Sequence, residues 1–391
     1  MTALANYMTT ATAIPRSGVL VGRIWNPAAG GPSVVRHEAG MLLDITSTFP
    51  TVRDLCEVEN PAAAVIGTYG ESIGYLADIL ANTPPERRDE TRPWLLAPID
   101  LQAIKAAGVT FAISMLERVI EERARGNPQA AVEIRASIQE LIGDDLSKLK
   151  PGSPQAMQLK QVLIAKGVWS QYLEVGIGPD AEIFTKSQVM SAVGHGMEAG
   201  LNPISSWNNP EPEVVVVVAS TGRIVGAMLG NDVNLRDVEG RSGLLLGKAK
   251  DNNASCAVGP FIRLFDESFS LDHVRRMELS LRVEGEDGFV LDGSSNMAKI
   301  SRDPADLVGQ MLNAHHQYPD GAVLFLGTLY APIADRDVKG QGFTHKMGDI
   351  VTVSSKELGA LTNRMVPTDV AAPWSYGVSH LMRNLAKRGL L

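Results

Sequence analysis

The chain has 391 residues, 45% of them hydrophobic and 20% charged, with a net charge of −8. That balance fits a soluble globular protein, the length suits two domains, and the charge argues against nucleic acid or an anionic membrane as a partner. Cys56 and Cys256 are the only cysteines, too few for a disulfide framework or a zinc cluster. The polar start reads as no secretory signal and no apolar run nears the ~20 residues of a membrane helix, so a cytoplasmic location is expected.

Residues 17–80 alternate short apolar runs with turn residues, as in "GVLVGRIWNP", "GMLLDIT" and "AAAVIGTYG". The pattern predicts a small, β-containing N-terminal domain with a helix near its end. "ANTPPERRDETRP", residues 81–93, is polar, charged and broken by proline, which places a domain boundary there. Residues 94–391 then form the larger domain. Within it, 115–147 and 154–169 carry helical spacing with many charges, predicting a helical block at about 112–170 with a solvated face. Short β-like runs punctuated by glycine resume from 174 and continue to about 366. "SYGVSHLMRNLAKRGLL" closes the chain as an amphipathic helix. The fold class expected is α+β and rich in β.

One hairpin concentrates charge. In "EPEVVVVVASTGRIVGAMLGNDVNLRD", residues 211–237, side chains alternate faces, so Glu211 and Glu213 point the same way. Val214 to Val218 is the continuous β-branched run of a strand buried on both faces. With Thr221 and Gly222 as the central turn residues, Glu211 faces Asp232 across the hairpin and Glu213 lies diagonal to it. Three like charges this close need a positive partner. Arg236, Arg223 or a lysine at the sheet rim would be one solution. A divalent cation is the other, and all-oxygen ligation without His or Cys favours Mg²⁺, Mn²⁺ or Ca²⁺.

"EPEVVVVV", "GNDVNLRD" and "GKAKDNNASCAVGP" together resemble the fumarylacetoacetate hydrolase superfamily. "EIFTKSQVMSAVGHG", "YPDGAVLFLGTLYAP" and "HKMGDIVTVSSKELGALTNRM" resemble further segments of it, so the similarity covers about 96–366. The resemblance implies a mixed β-sandwich or roll of that family's C-terminal type. It places Glu211, Glu213 and Asp232 on the metal ligands and Lys250 on the active-site lysine. "APIDLQAIKAAGVTFAIS" and "EVGIGPDAEIFTK" bring the chain nearest to the dehydratases of 2-keto-3-deoxy sugar acids. Hydrolase members carry a His–Glu dyad that is incomplete here: Ser114 occupies the histidine position, and Glu117 or Glu121 the glutamate position.

The resemblance implies metal-dependent dehydration of 2-keto-3-deoxy-D-xylonate or -D-arabinonate to 2,5-dioxopentanoate by a lyase of pentose catabolism. Its partner is a small sugar acid, and its assembly a homodimer or homotetramer. Lys250 is the candidate for substrate orientation, or for base if burial lowers its pKa; its bland reading is a counter-ion to the carboxylates. Glu117 and Glu121 are candidate acid–base groups on a charged helix. Thr110, Ser114, Lys186 and Thr328 are candidate substrate contacts, although Thr110 and Ser114 would look the same as helix caps and Lys186 could simply pair with Glu182. Hydrolysis of an acylpyruvate and decarboxylation of a 2-oxo acid are alternative reactions at the same centre. A non-catalytic sugar-acid-binding protein is the alternative of another class. "RSGLLLGKAK" lacks the spacing of a phosphate loop, "VGIGPD" that of a dinucleotide fingerprint, and His315-His316 a third ligand.

Overall fold

The computed structural model describes residues 4–125, 127, 130, 149–167, 169–330, 332, 334–337 and 342–391, without the side chains of 112–114, 116 and 121. The described strands are β1 Leu20–Asn26, β2 Gly31–Glu38, β3 Met41–Asp44, β4 Glu71–Tyr75, β5 Trp94–Leu96, β6 Ala103–Gly108, β7 Glu182–Ser187 and β8 Glu198–Leu201. They continue as β9 Pro212–Val218, β10 Ile224–Asp232, β11 Cys256–Leu264, β12 Glu278–Glu284, β13 Val290–Asn296, β14 Ala322–Phe325, β15 Ile350–Ser355 and β16 Gly359–Pro367. One sheet runs in the order β4-β3-β2-β1-β11-β10-β9-β14-β6-β7, with β5 added beside β1. The other runs β13-β12-β15-β16-β8. The β6–β14 and β16–β8 pairs are parallel, so both sheets are mixed.

The five valines explain how the layers meet. Val214, Val216 and Val218 join Leu279, Leu281 and Val283 of β12 and Val351 and Val353 of β15 in one apolar cluster. Val215 and Val217, pointing the other way, join Val52, Leu55 and Val65 in a second. Strand β9 is thus covered by a sheet on one face and by helices on the other, as a run of β-branched residues without alternation requires. The fold is sheet-rich α+β.

Leu20, Ile24, Leu42 and Leu80 of the first 93 residues share an apolar cluster with Leu95 and with Phe261 of β11. Strand β1 also pairs with β11, Leu20 opposite Arg263 and Val21 opposite Ile262, so hydrogen bonding runs from this region into the rest of the chain. "AAAVIGTYG", strand-like in its punctuation, is helical through Gly67. Asn60 caps Ala63 N at 3.1 Å, Pro61 opens the helix Pro61–Gly67, and Ala62 and Val65 face inward one turn apart. The expected helical block contains the helices Ala112–Arg123 and Pro154–Ala165, while 131–148 lie outside the described residues. The closing helix is Val378–Lys387, and it buries Leu381 and Leu385. No helix among the described residues is long and apolar enough to cross a membrane.

The register of the β9–β10 hairpin is the expected one at its far end, although its turn is not. Ala219 N donates to Arg223 O at 2.9 Å, so three residues rather than two span the turn. A bulge then shifts the pairing between Ile224 and Gly226. Gly230 therefore faces Glu213, and Asp232 N donates to Glu211 O at 3.0 Å. A Cβ on Gly230 would meet Phe325 Cε1 at 2.4 Å and Val215 Cγ2 at 2.6 Å, which is why β10 carries glycine there. Gly230→Ala is expected to destabilise the chain by about 1–3 kcal/mol through overpacking, read as a lower denaturant midpoint at unchanged slope.

Candidate metal centre

Strand alternation and the hairpin register bring Glu211, Glu213 and Asp232 together: one carboxylate oxygen from each lies within 4.8 Å of the others, and all three side chains are buried. Gly327, at a positive φ of 89°, lies in the loop after β14 and donates its N–H to Glu213 Oε2 at 2.7 Å. A Cβ there would meet Thr110 Oγ1 at 2.0 Å. Three cations compensate the acids. Lys250 Nζ lies 2.5 Å from Glu211 Oε2 and 2.9 Å from Asp232 Oδ2. Lys186 Nζ is 2.8 Å from Asp232 Oδ1, an ion pair without the alignment of a hydrogen bond at that oxygen. Arg118 binds Glu211 Oε1 and reaches Glu239 Oε2 at 3.3 Å.

These groups surround a cavity of about 30 Å³, also lined by Glu182, Phe184 and Thr328. Glu182, Glu211, Glu213, Asp232 and Glu239 set five carboxyl groups against Arg118, Lys186 and Lys250. With all ionised, a surplus of two negative charges remains, which one divalent cation would cancel. The all-oxygen donor set, its burial and that surplus fit a hard divalent ion. Burial, then the charges of Asp232 and Glu211, push the Glu213 carboxyl well above its usual range. Burial and Glu239 push Glu182 up to about 7. Burial would also raise Asp232, but Lys186 and Lys250 outweigh it and hold that carboxyl down.

Lys250 departs from the lowered pKa that a base would need. Burial pulls it down, but Asp232, Glu211 and Glu239 overcome burial and raise it, so the ammonium form is held. Lys186 is fully buried and does not line the cavity. It also donates to Val233 O at 3.2 Å and Lys250 O at 2.5 Å, so its ammonium braces the strand end and is not free for a substrate. Nor does it pair with Glu182, the bland expectation. Thr110 does not line the cavity, and its hydroxyl donates to Leu326 O at 2.7 Å. Thr328 does line the cavity, its Oγ1 accepting from Tyr330 N at 3.1 Å. Glu117 lies outside the lining and stands 4.0 Å from Arg236. The side chains of Ser114 and Glu121 lie outside the described residues.

Of the suggested rim arginines, Arg236 packs over Trp207 and stands 4.0 Å from Glu117, and Arg223 reaches the carbonyls of Val58 and Glu59. Arg118, Glu182 and Glu239 were not read from the sequence as parts of the centre. One signal was present for Arg118: it falls between Met115 and Val119 on the apolar stripe of its helix, and all three are buried.

The family model described as "Fumarylacetoacetate (FAA) hydrolase C-terminal" matches residues 180–366. A 2-dehydro-3-deoxy-D-arabinonate dehydratase of Saccharolobus solfataricus is 32% identical over 180 residues, 46% of this chain and 57% of the relative. The chain thus spans little more than half the length of that relative in the match. A probable 2-keto-3-deoxyxylonate dehydratase of Haloferax volcanii is 25% identical over 82% of this chain and 90% of its own length. A solved 2-keto-3-deoxy-D-arabinonate dehydratase complexed with magnesium and 2,5-dioxopentanoate shares the fold, with a TM-score of 0.62 and 20% identity over 89% of this chain and 99% of its own.

Glu211→Gln, Glu213→Gln and Asp232→Asn are each expected to abolish stoichiometric Mg²⁺ or Mn²⁺ binding in calorimetry while the circular dichroism spectrum is kept. Undiminished binding in all three variants would refute the cage. Glu182 generates a pH prediction. Its folded pKa of about 7 lies above the ordinary value of 4.5, so the proton favours the folded state. That stabilisation is complete below pH 4.5 and disappears as pH rises through about 7. Thermal melting of the native chain should therefore fall between these pH values more steeply than that of Glu182→Gln, and parallel curves would contradict the assignment.

Proposed function

We propose that this chain, whose residues 180–366 belong to the fumarylacetoacetate hydrolase C-terminal family, is a divalent-cation-dependent lyase that dehydrates a 2-keto-3-deoxy-pentonate to 2,5-dioxopentanoate. The carrying observation is the buried convergence of Glu211, Glu213 and Asp232 beside the ammonium of Lys250. The names of the similar proteins support the substrate class. Mg²⁺ is the proposed ion, in keeping with the magnesium in one structural neighbour.

Glu211, Glu213 and Asp232 would hold the cation. Once bound, it would supply Lewis acidity toward the keto group of a 2-oxo acid. The reaction removes a proton from C3 and hydroxide from C4, together one water, leaving a C3=C4 enone; loss of a C5 proton and protonation at C3 then give the C4=C5 enol, which tautomerises to the C5 aldehyde. Lys250, kept as an ammonium, supplies N–H donors and positive charge where negative charge develops, so its work is stabilisation and orientation. Glu182, half-buried on the same cavity with a pKa of about 7, is the group suited to moving a proton near neutral pH. Thr328 lines the wall where a substrate hydroxyl or carboxylate would lie.

None of the chain's seven histidines lines this cavity, so the water-activating base of a hydrolase has no counterpart there. A cage with its own buried ammonium and a near-neutral carboxyl group also exceeds what simple sugar-acid binding requires.

Incubating a panel of 2-keto-3-deoxy acids with Mg²⁺ should give a product lighter by one water, and reaction in D₂O should place deuterium at C3. Lys250→Met should lower turnover by about 100-fold or more if Lys250 acts on the reacting atoms. Pyruvate or CO₂ as the product from every substrate, or a variant as fast as the native chain, would overturn the reading.

A further inference from the structure

A second cavity, of about 290 Å³, opens between β1, the chain after β7 and the segment before the terminal helix. It shares no lining residue with the carboxylate cage. Its walls are aromatic. Trp25 stacks on Trp94 at 5.7 Å and meets Tyr376 edge-on at 5.3 Å, and Trp374 stands at the rim, 47% exposed. Trp25, Trp374 and Tyr376 line the cavity, and Trp94 backs Trp25 from outside the lining.

The charged groups of the cavity are basic. Arg23 and Arg88 line it, and no aspartate or glutamate does. Arg23 is buried and donates from Nη1 to Ile99 O and to Ala97 O, with Asp100 3.9 Å from its Nε. Arg88 lies over the ring of Trp94 at 4.8 Å and donates to Thr83 O; its Nε is buried without a partner. Glu90, Glu198 and Glu86 act on Arg88 from outside the lining. The Tyr376 hydroxyl is likewise buried without a hydrogen bond. Orphaned buried donors call for an acceptor. Met190, on the same wall, holds a φ of 67°, a strained conformation for a side-chain-bearing residue and one that gathers at binding sites.

We propose that this pocket is a second ligand site, for a small planar aromatic carboxylate. The ring would lie among Trp25, Trp374 and Tyr376, and the carboxylate toward Arg23 and Arg88, a pairing of stacked walls with charge-assisted donors. The site is independent of the reaction proposed for the carboxylate cage, and binding here needs no metal.

Benzoate is the probe, read by quenching of tryptophan fluorescence and by calorimetry, with benzamide and acetate as the neutral and ringless controls. Benzoate should bind with 1:1 stoichiometry, at least about tenfold more tightly than either control. Trp374→Ala and Arg88→Gln should each weaken it about tenfold or more, with Mg²⁺ binding unchanged. Glu211→Gln, in contrast, should leave benzoate binding intact even if the cage reading fails. Equal binding of benzoate, benzamide and acetate would overturn the proposal, as would benzoate binding untouched by both pocket substitutions. So would a Trp374→Ala variant that sediments as a smaller species while benzoate has no effect on the native chain, since the pocket would then be a subunit contact.

Discussion

The burial of three carboxylates at the ends of two paired strands is the constraint around which this molecule is arranged. Removing such charges from water is costly unless partners surround them. The chain answers with two lysines and an arginine from separate elements: Lys186 from β7, Lys250 just before β11 and Arg118 from the helix Ala112–Arg123. Their positions follow from the sheet order. Strand β7 lies at one end of the large sheet, β11 flanks β10, and the helix follows β6 in the chain. Each contributes one charged group to the same interior point, and the intervening packing gives those groups little freedom to move apart.

That packing is supplied by the valine run. With alternate valines committed to different apolar clusters, β9 has no solvent face and cannot slip by one residue without exchanging what each cluster contains. The acids at its start inherit this rigidity. Low dielectric around them also means that small changes in separation change their mutual energy strongly.

The sequence was most informative where a pattern had a single structural solution. Five consecutive β-branched residues specify burial on both faces, and an acid at every second position specifies a shared side, so the convergence of the three acids was legible in the sequence. The partners of Glu211 could not. Arg118 and Glu239 are remote from it in the chain, and a charged helix most often shows its charges to water; only the apolar neighbours of Arg118 distinguished it. Lys186 and Thr110 show the opposite difficulty. Both residue types suit a substrate contact, but their donors go to backbone carbonyls, a choice made by tertiary distance and invisible to local pattern. "AAAVIGTYG" illustrates a third difficulty, since a short apolar run has no period of its own and a single capping asparagine settles it as helix.

The bulge between Ile224 and Gly226 has an implication for how the hairpin is held at its two ends. Because the extra residue is absorbed near the turn, the alignment of Glu213 with Gly230 is governed by packing along the strands and not by the number of residues at the tip. The tip is thereby insulated from the chemistry beneath it. The tip is anchored in its own right: Ser220 donates from its N–H and its hydroxyl to the Glu57 carboxylate, and Arg223 reaches the carbonyls of Val58 and Glu59. The turn therefore fastens the hairpin to that segment, while the bulge lets Asp232 stay opposite Glu211 at the other end.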